Sequence, residues 1–350
     1  MTDPAAADGP RVVTDPAAAD GPRVVTDPAA VGRASRPVGG PVAVLVAAAV
    51  WGTTGTATHF APGVPAFVFG AVTFGLGGLV LAATTGRSAL RAVVRPGARS
   101  WVLLGAVSLV VYAVAFYAAL ADAGVALGTT VAIGSSPLFA GIVEWAADGR
   151  RVTGRWVVAT LVGVVGMVVV TLARTAAPGD GSLLLGLGSA LLAGLTYATY
   201  SWAVARGMHA ATRPAPVPPA LPTAVSGSAA GAGGRGVVGA VFGLAAVPLV
   251  VLAAVAGRDA LVVGANWPVF VYLALVPTVL GHSLYAVGLR RVSASVATLL
   301  SLFEPVVAAV LAVLVVGEHL GGAGWLGVAL VVVGLALLAV PRRSGPPTSR

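Results

Sequence analysis

Ten stretches of roughly 20 predominantly apolar residues follow one another along the chain, at about 40–59, 64–84, 101–121, 124–146, 155–173, 183–205, 236–256, 267–288, 292–316 and 322–341. Each is long enough for a helix to cross a hydrocarbon core about 30 Å thick. Only 9% of the residues are charged and 57% are hydrophobic, against about 25% charged in soluble domains. The expected fold class is therefore an all-α polytopic membrane protein with ten transmembrane helices.

The formal charge of +9 would suit a nucleic-acid binder, but its placement argues otherwise. All 21 basic residues are arginines, and 19 of them lie in alternate connections, leaving Arg174 and Arg258 on the other side. Cytoplasmic loops collect Lys and Arg. The split supports ten spans with the N- and C-termini both cytoplasmic, and it removes nucleic acid as a partner.

Two segments carry no span. Residues 1–38 contain TDPAAADGPRVV twice, from Thr2 and from Thr14. Such Pro-, Ala- and Asp-rich sequence buries too little apolar surface to fold, so a disordered cytoplasmic tail is expected, with a second short tail at 342–350. The Pro-, Gly- and Ala-rich stretch 208–235 reads as a flexible linker. The start lacks the pattern of a cleaved signal peptide, and the first span is expected to stay as an anchor. With no cysteine, disulfides and thiolate metal sites are excluded.

A shift of 168 residues places Tyr117 on Tyr285, Thr130 on Thr298, Pro137 on Pro305, Gly149 on Gly317 and Gly166 on Gly334. Five spans thus follow five. Because five is odd, the second copy enters the membrane from the opposite side, which predicts two inverted five-helix repeats with substrate sites near mid-depth between the halves.

The segments AAAVWGTTGTA (Ala47 to Ala57), FEPVVAAVLAVLVVGEHL (Phe303 to Leu320) and GVALVVVGLALL (Gly327 to Leu338) resemble the EamA branch of the drug/metabolite transporter superfamily over residues 40 to 341. The pattern departs from that family at Arg150, where a first-half glutamate is often found, and in span two, which lacks an arginine common there. The resemblance implies one EamA-like repeat over 39–175 and a second over 181–341. It also implies a secondary transporter, foremost an exporter, while arginine without lysine among abundant Ala, Gly and Val points to a GC-rich bacterial genome and hence to a plasma membrane. The expected cargo is small metabolites such as amino acids or related compounds, with protons as a candidate coupling ion.

Several residues stand out on physical grounds. Glu304 lies about 12 residues, or roughly 18 Å, from either end of its span, too deep for its carboxylate to reach water. Intramembrane ionisable groups face bundle interiors or wet cavities, so Glu304 is a candidate for proton coupling or for holding a cationic group; a structural carboxyl bonded to neighbouring hydroxyls is the alternative. His282, whose imidazole titrates near neutral pH, is a second proton-coupling candidate. Trp51 sits halfway along span one, unlike Trp101, Trp145, Trp156, Trp202, Trp267 and Trp325, which read as an interfacial belt. Trp51, Thr54, Tyr112, Tyr197 and Glu304 are expected to line one substrate cavity. Pro137 and Pro305 remove a helical hydrogen bond at mid-span and are candidate hinges. Gly124 and Gly128 form a GxxxG pair expected to pack helices closely, and Glu144 reads as an interfacial carboxylate without a function.

The absence of an HExxH motif, of paired intramembrane aspartates and of a nucleotide loop argues against an enzyme, which stays the alternative of a different class beside a channel or scaffold. No catalytic residue, metal or cofactor is expected. The expected partners are a small-molecule substrate and the lipid bilayer, with the chain a monomer or a homodimer.

Overall fold

The structure, a computed structural model, describes residues 39–173, 181–212 and 227–339. Among these residues there is no strand, and nine helices are long and apolar enough to cross a membrane. In chain order they are Gly39–His59, Ala66–Thr85, Pro96–Ala123, Val125–Asp148, Gly154–Leu172, Leu183–Thr212, Gly234–Ala256, Gly264–Leu289 and Ala294–Val316, and a shorter apolar helix, Gly322–Leu338, follows. They are numbered here as spans one to ten. The fold is that of a polytopic all-α membrane protein of about ten helices.

The expected linker over 208–235 needs correction at both ends. Span six stays helical to Thr212, and the helix that becomes span seven begins at Gly227. Met208 is 2% exposed, and Arg95 Nη1 donates to the Ala211 carbonyl at 2.7 Å. Packing and this bond hold the helix to Thr212. Just past the expected linker, glycines of span seven permit close contact. A Cβ on Gly236 would lie 2.4 Å from the Ser88 carbonyl, and one on Gly239 would collide with Thr85. The centre of the linker, 213–226, and the expected tails at 1–38 and 342–350 lie outside the described residues.

Spans five and ten cross through glycine. A Cβ on Gly166 would sit 2.7 Å from the Gly327 carbonyl, one on Gly327 would sit 2.6 Å from the Gly166 carbonyl, and one on Gly334 would sit 2.8 Å from the Ala159 carbonyl. The obstacles are backbone atoms, which cannot rotate away. Lipid offers little hydrophobic drive for helix association, so close backbone approach supplies the contact energy. Of the expected GxxxG pair only Gly128 acts this way, against the Ala119 carbonyl. Gly124 has φ of +85 and forms the turn between spans three and four. The repeat partners Gly149 and Gly317 both adopt left-handed conformations, φ +65 and +82, after the helices that precede them.

The arginine-rich end of the bundle is closed. Asp148 at the end of span four pairs with Arg206 and accepts from Trp202 Nε1 at 3.0 Å, and the Arg206 guanidinium lies about 6 Å from the rings of Trp101 and Trp202. Trp156, read from the sequence as part of the interfacial belt, is instead buried and donates through Nε1 to the Ser295 carbonyl at 3.0 Å. Glu144 also departs from its reading. It is 5% exposed, and its carboxylate accepts from the Ala294 backbone N–H at 2.8 Å and from the Ser295 hydroxyl at 2.5 Å. The first backbone N–H groups of a helix have no partner within it, and the helix dipole favours negative charge there. Span four therefore adds a second cap to span nine, beside that of Ser293, whose hydroxyl accepts from the Val296 N–H.

Two substitutions test this packing. Gly166→Ala should lower stability by about 1–3 kcal/mol through overpacking at the crossing, read as a lower thermal unfolding midpoint of the purified protein. Glu144→Ala should cost a similar amount by orphaning a buried N–H, whereas Glu144→Gln, which keeps one acceptor oxygen, should recover most of the loss.

Candidate functional site

Three spans lose regular helical geometry at mid-depth, and each interruption follows from sequence. In span one the helix breaks at Gly52 and Thr53. Gly52 abuts span nine so closely that a Cβ would lie 2.8 Å from the Glu304 carbonyl and 2.6 Å from Val307. Thr53 donates its hydroxyl to the Val50 carbonyl at 2.7 Å and accepts from Tyr272 at 2.8 Å. In span eight the stretch Ala274–Gly281 winds as a π-helix around Pro277. Proline has no N–H for the Leu273 carbonyl, which accepts instead from the Thr278 hydroxyl at 3.3 Å. In span nine a turn at Ser301 and Leu302 separates the helices Ala294–Leu300 and Phe303–Leu311. Glu304 N–H bonds back to the Ser301 carbonyl at 3.0 Å, because Pro305 cannot.

These interruptions border one cavity of about 600 Å³, within the usual range of small-molecule sites. It is lined by every span except seven and ten. Its mouth lies toward the arginine-poor ends of the helices, at Thr58, His59, Gly63, Leu120, Val125 and Thr171, and its floor lies at mid-depth. Backbone that departs from helix inside a membrane is tolerated where it lines a cavity or is buried in protein.

Trp51, Thr54, Tyr112, Tyr197 and Glu304, singled out from the sequence, all line this cavity, and so do His282 and Pro305. Trp51 donates through Nε1 to the Pro277 carbonyl at 2.9 Å, and Gly281 makes room for the indole. His282 sits among rings, with centroids 4.9 Å from Trp51, 4.6 Å from Phe242 and 5.9 Å from Phe74. Its Nδ1 lies 3.2 Å from the Thr278 carbonyl. A carbonyl only accepts, so Nδ1 carries the proton and Nε2 is the basic nitrogen. Tyr112 lies 5.3 Å from Tyr197 and 5.6 Å from Phe116, ring to ring. The Glu304 carboxyl takes part in none of the hydrogen bonds or ion pairs among the described residues, and the phenol of Tyr112 lies within electrostatic range of it. Pro137 lies elsewhere: it is buried within the unbroken helix of span four and does not border the cavity.

Phe74, Phe116, Tyr117 and Thr278 also line the cavity and were not singled out beforehand. Aromatic side chains at mid-span in spans two and three were the available signal, by the same reasoning that picked out Trp51.

The comparisons with known proteins agree with this geometry. The EamA-like transporter family matches residues 38–172 and 232–340. An uncharacterized transporter of Bacillus subtilis (strain 168), YwfM, is 32% identical over 304 residues, covering 86% of this chain and 94% of its own. A crystal structure of a protein 23% identical to this one superposes with a TM-score of 0.68 over 85% of this chain and 96% of its own, which shows the shared fold. The two matched segments, the apolar helices and the curated relative together show that this chain is a multi-pass membrane protein belonging to the EamA-like transporter family.

Proposed function

We propose that the protein is a secondary transporter that exports small metabolites, amino acids and related compounds among them, by alternating access, with a proton exchanged at Glu304. The observation that carries this reading is a cavity that reaches mid-depth from one end of the bundle only, in a chain built from two repeats. Repeat partners differ accordingly. Tyr117 lines the open cavity, whereas Tyr285, 168 residues later, is fully buried, its hydroxyl 3.0 Å from Ser201 Oγ. If the two halves exchanged conformations, the burial of this pair would exchange too, and the cavity would open at the other end.

The proton role rests on the free carboxyl. Glu304 faces the cavity on the first turn of a helix that begins at mid-membrane. A carboxyl that holds either a proton or a substrate group, but not both, couples the two fluxes. An inward proton gradient then drives cargo outward. The arginine distribution supports cytoplasmic termini, and arginine without lysine among abundant Ala, Gly and Val supports a bacterial plasma membrane.

Flux of a metabolite extract into proteoliposomes should saturate with concentration; a linear dependence would favour a channel, and covalent turnover an enzyme. Glu304→Gln keeps shape while removing titration. It should cut flux by roughly tenfold, about 1.4 kcal/mol, and flatten its dependence across about pH 5 to 8, with thermal stability near that of the parent. Normal, pH-dependent flux in this variant would make the carboxyl structural. For topology, exposed Gly97 and exposed Gly264 lie at opposite ends of the bundle, and neither has a neighbour within 4 Å of an added Cβ. In this cysteine-free chain, Gly264→Cys should react with an impermeant maleimide on intact cells and Gly97→Cys should not.

A further inference from the structure

The charge of the cavity wall narrows the cargo. Among the described residues that line it, Glu304 is the single carboxylate and there is no arginine; the other titratable groups apart from tyrosines are His282 and His59, the latter at the mouth beside Phe60. Arg206 is engaged with Asp148 at the closed end, and Arg95 with the Ala211 carbonyl. A substrate carboxylate would therefore lose its water beside Glu304 with no guanidinium to receive it. A buried charge without a partner is strongly disfavoured, and two like charges at close range more so.

A substrate cation meets the opposite situation. The Glu304 carboxyl accepts no hydrogen bond among the described residues, so its lone pairs are available to an ammonium, and a charge-assisted bond in a partly dry site is among the stronger polar contacts. Around it stand π faces. Trp51, Tyr112, Phe74 and Phe116 line the same cavity, and the Tyr112 ring lies 6.1 Å from Phe74. Aromatic faces attract cations and also accommodate apolar bodies.

We propose that the cavity takes small organic monocations: amines with an aromatic or branched apolar body and no free carboxylate, the ammonium against Glu304 and the body among Trp51, Tyr112 and Phe116. This rests on the transporter reading and narrows its cargo to the amines among the related compounds, setting aside the amino acids themselves.

Phenethylamine and phenylalanine share one body and differ by the carboxylate, so they separate the classes. With the full-length protein in proteoliposomes, labelled phenethylamine should exchange with a half-saturation concentration at least roughly tenfold below that of phenylalanine, about 1.4 kcal/mol. Glu304→Gln should remove that preference, whereas Glu304→Asp, which keeps the charge, should retain part of it. Equilibrium binding to the detergent-purified variants, with their unfolding midpoints, separates loss of the site from loss of the fold. Phenylalanine exchanging as well as phenethylamine, or a Gln variant that keeps the preference, overturns the cation class. So does failure of both probes in vesicles that still exchange a metabolite extract saturably, and the carrier reading then stands. Loss of saturable extract flux as well overturns the carrier reading itself.

Discussion

Hydrocarbon offers no partner to a backbone amide, and this constraint arranges the whole molecule. Most of the outward surface of the spans is regular α-helix, and its exceptions, the π-helical turns that carry Leu275, Leu280, Leu314 and Val315, are still helical. At Gly52 and Thr53, around Pro277 and at Ser301 and Leu302, where the helices are interrupted at mid-depth, a hydroxyl or an indole serves the freed carbonyl. The cavity and the irregular backbone therefore belong together. Proline and glycine loosen the helices, and the space they open is lined by the threonine, tryptophan and tyrosine side chains that make the loosening tolerable.

The two ends of the bundle are built from different chemistry. At the closed end, spans three, four, five, six and nine are tied by Glu144, Asp148, Arg206 and three tryptophans over an apolar core that includes Val102, Leu109, Val204 and Val241. At the open end the walls are small and apolar or hydroxylated, with Val125, Ala126 and Thr171 at the rim. Spans seven and ten stay outside the cavity and act as backing. Span seven holds span two through Gly239 and Gly243, and span ten holds span five through Gly327 and Gly334.

Much of the fold was legible in sequence, because bilayer thickness sets span length and hydropathy reports it directly. The offset of 168 residues fixed which positions are repeat partners. The cavity group was legible for a related reason: a polar or amphipathic side chain at mid-depth has nowhere favourable to point except inward, which brought Trp51, Thr54, Tyr112, Tyr197, His282 and Glu304 to one place. The errors came where composition stood in for contact. The start of the expected linker resembles loose chain until the bond from Arg95 to the Ala211 carbonyl is seen. Glu144 resembles an interfacial residue until the first N–H of span nine appears beside it. Trp156 resembles a belt residue until its bond to Ser295 is drawn. Each depends on a neighbour more than 100 residues away or in another span, which hydropathy does not encode.

The Glu144 cap also sets the two repeats apart. Counted by the 168-residue offset, its counterpart is Ala312, and those of Ala294 and Ser295 are Ala126 and Leu127, so the carboxylate that ties span four to span nine at the arginine-rich end has no equivalent at the other. Under the alternating-access reading proposed above, perfectly matched halves would give the inward and outward states equal energies, and this unmatched pair of bonds would tilt the balance toward the state whose arginine-rich end is closed.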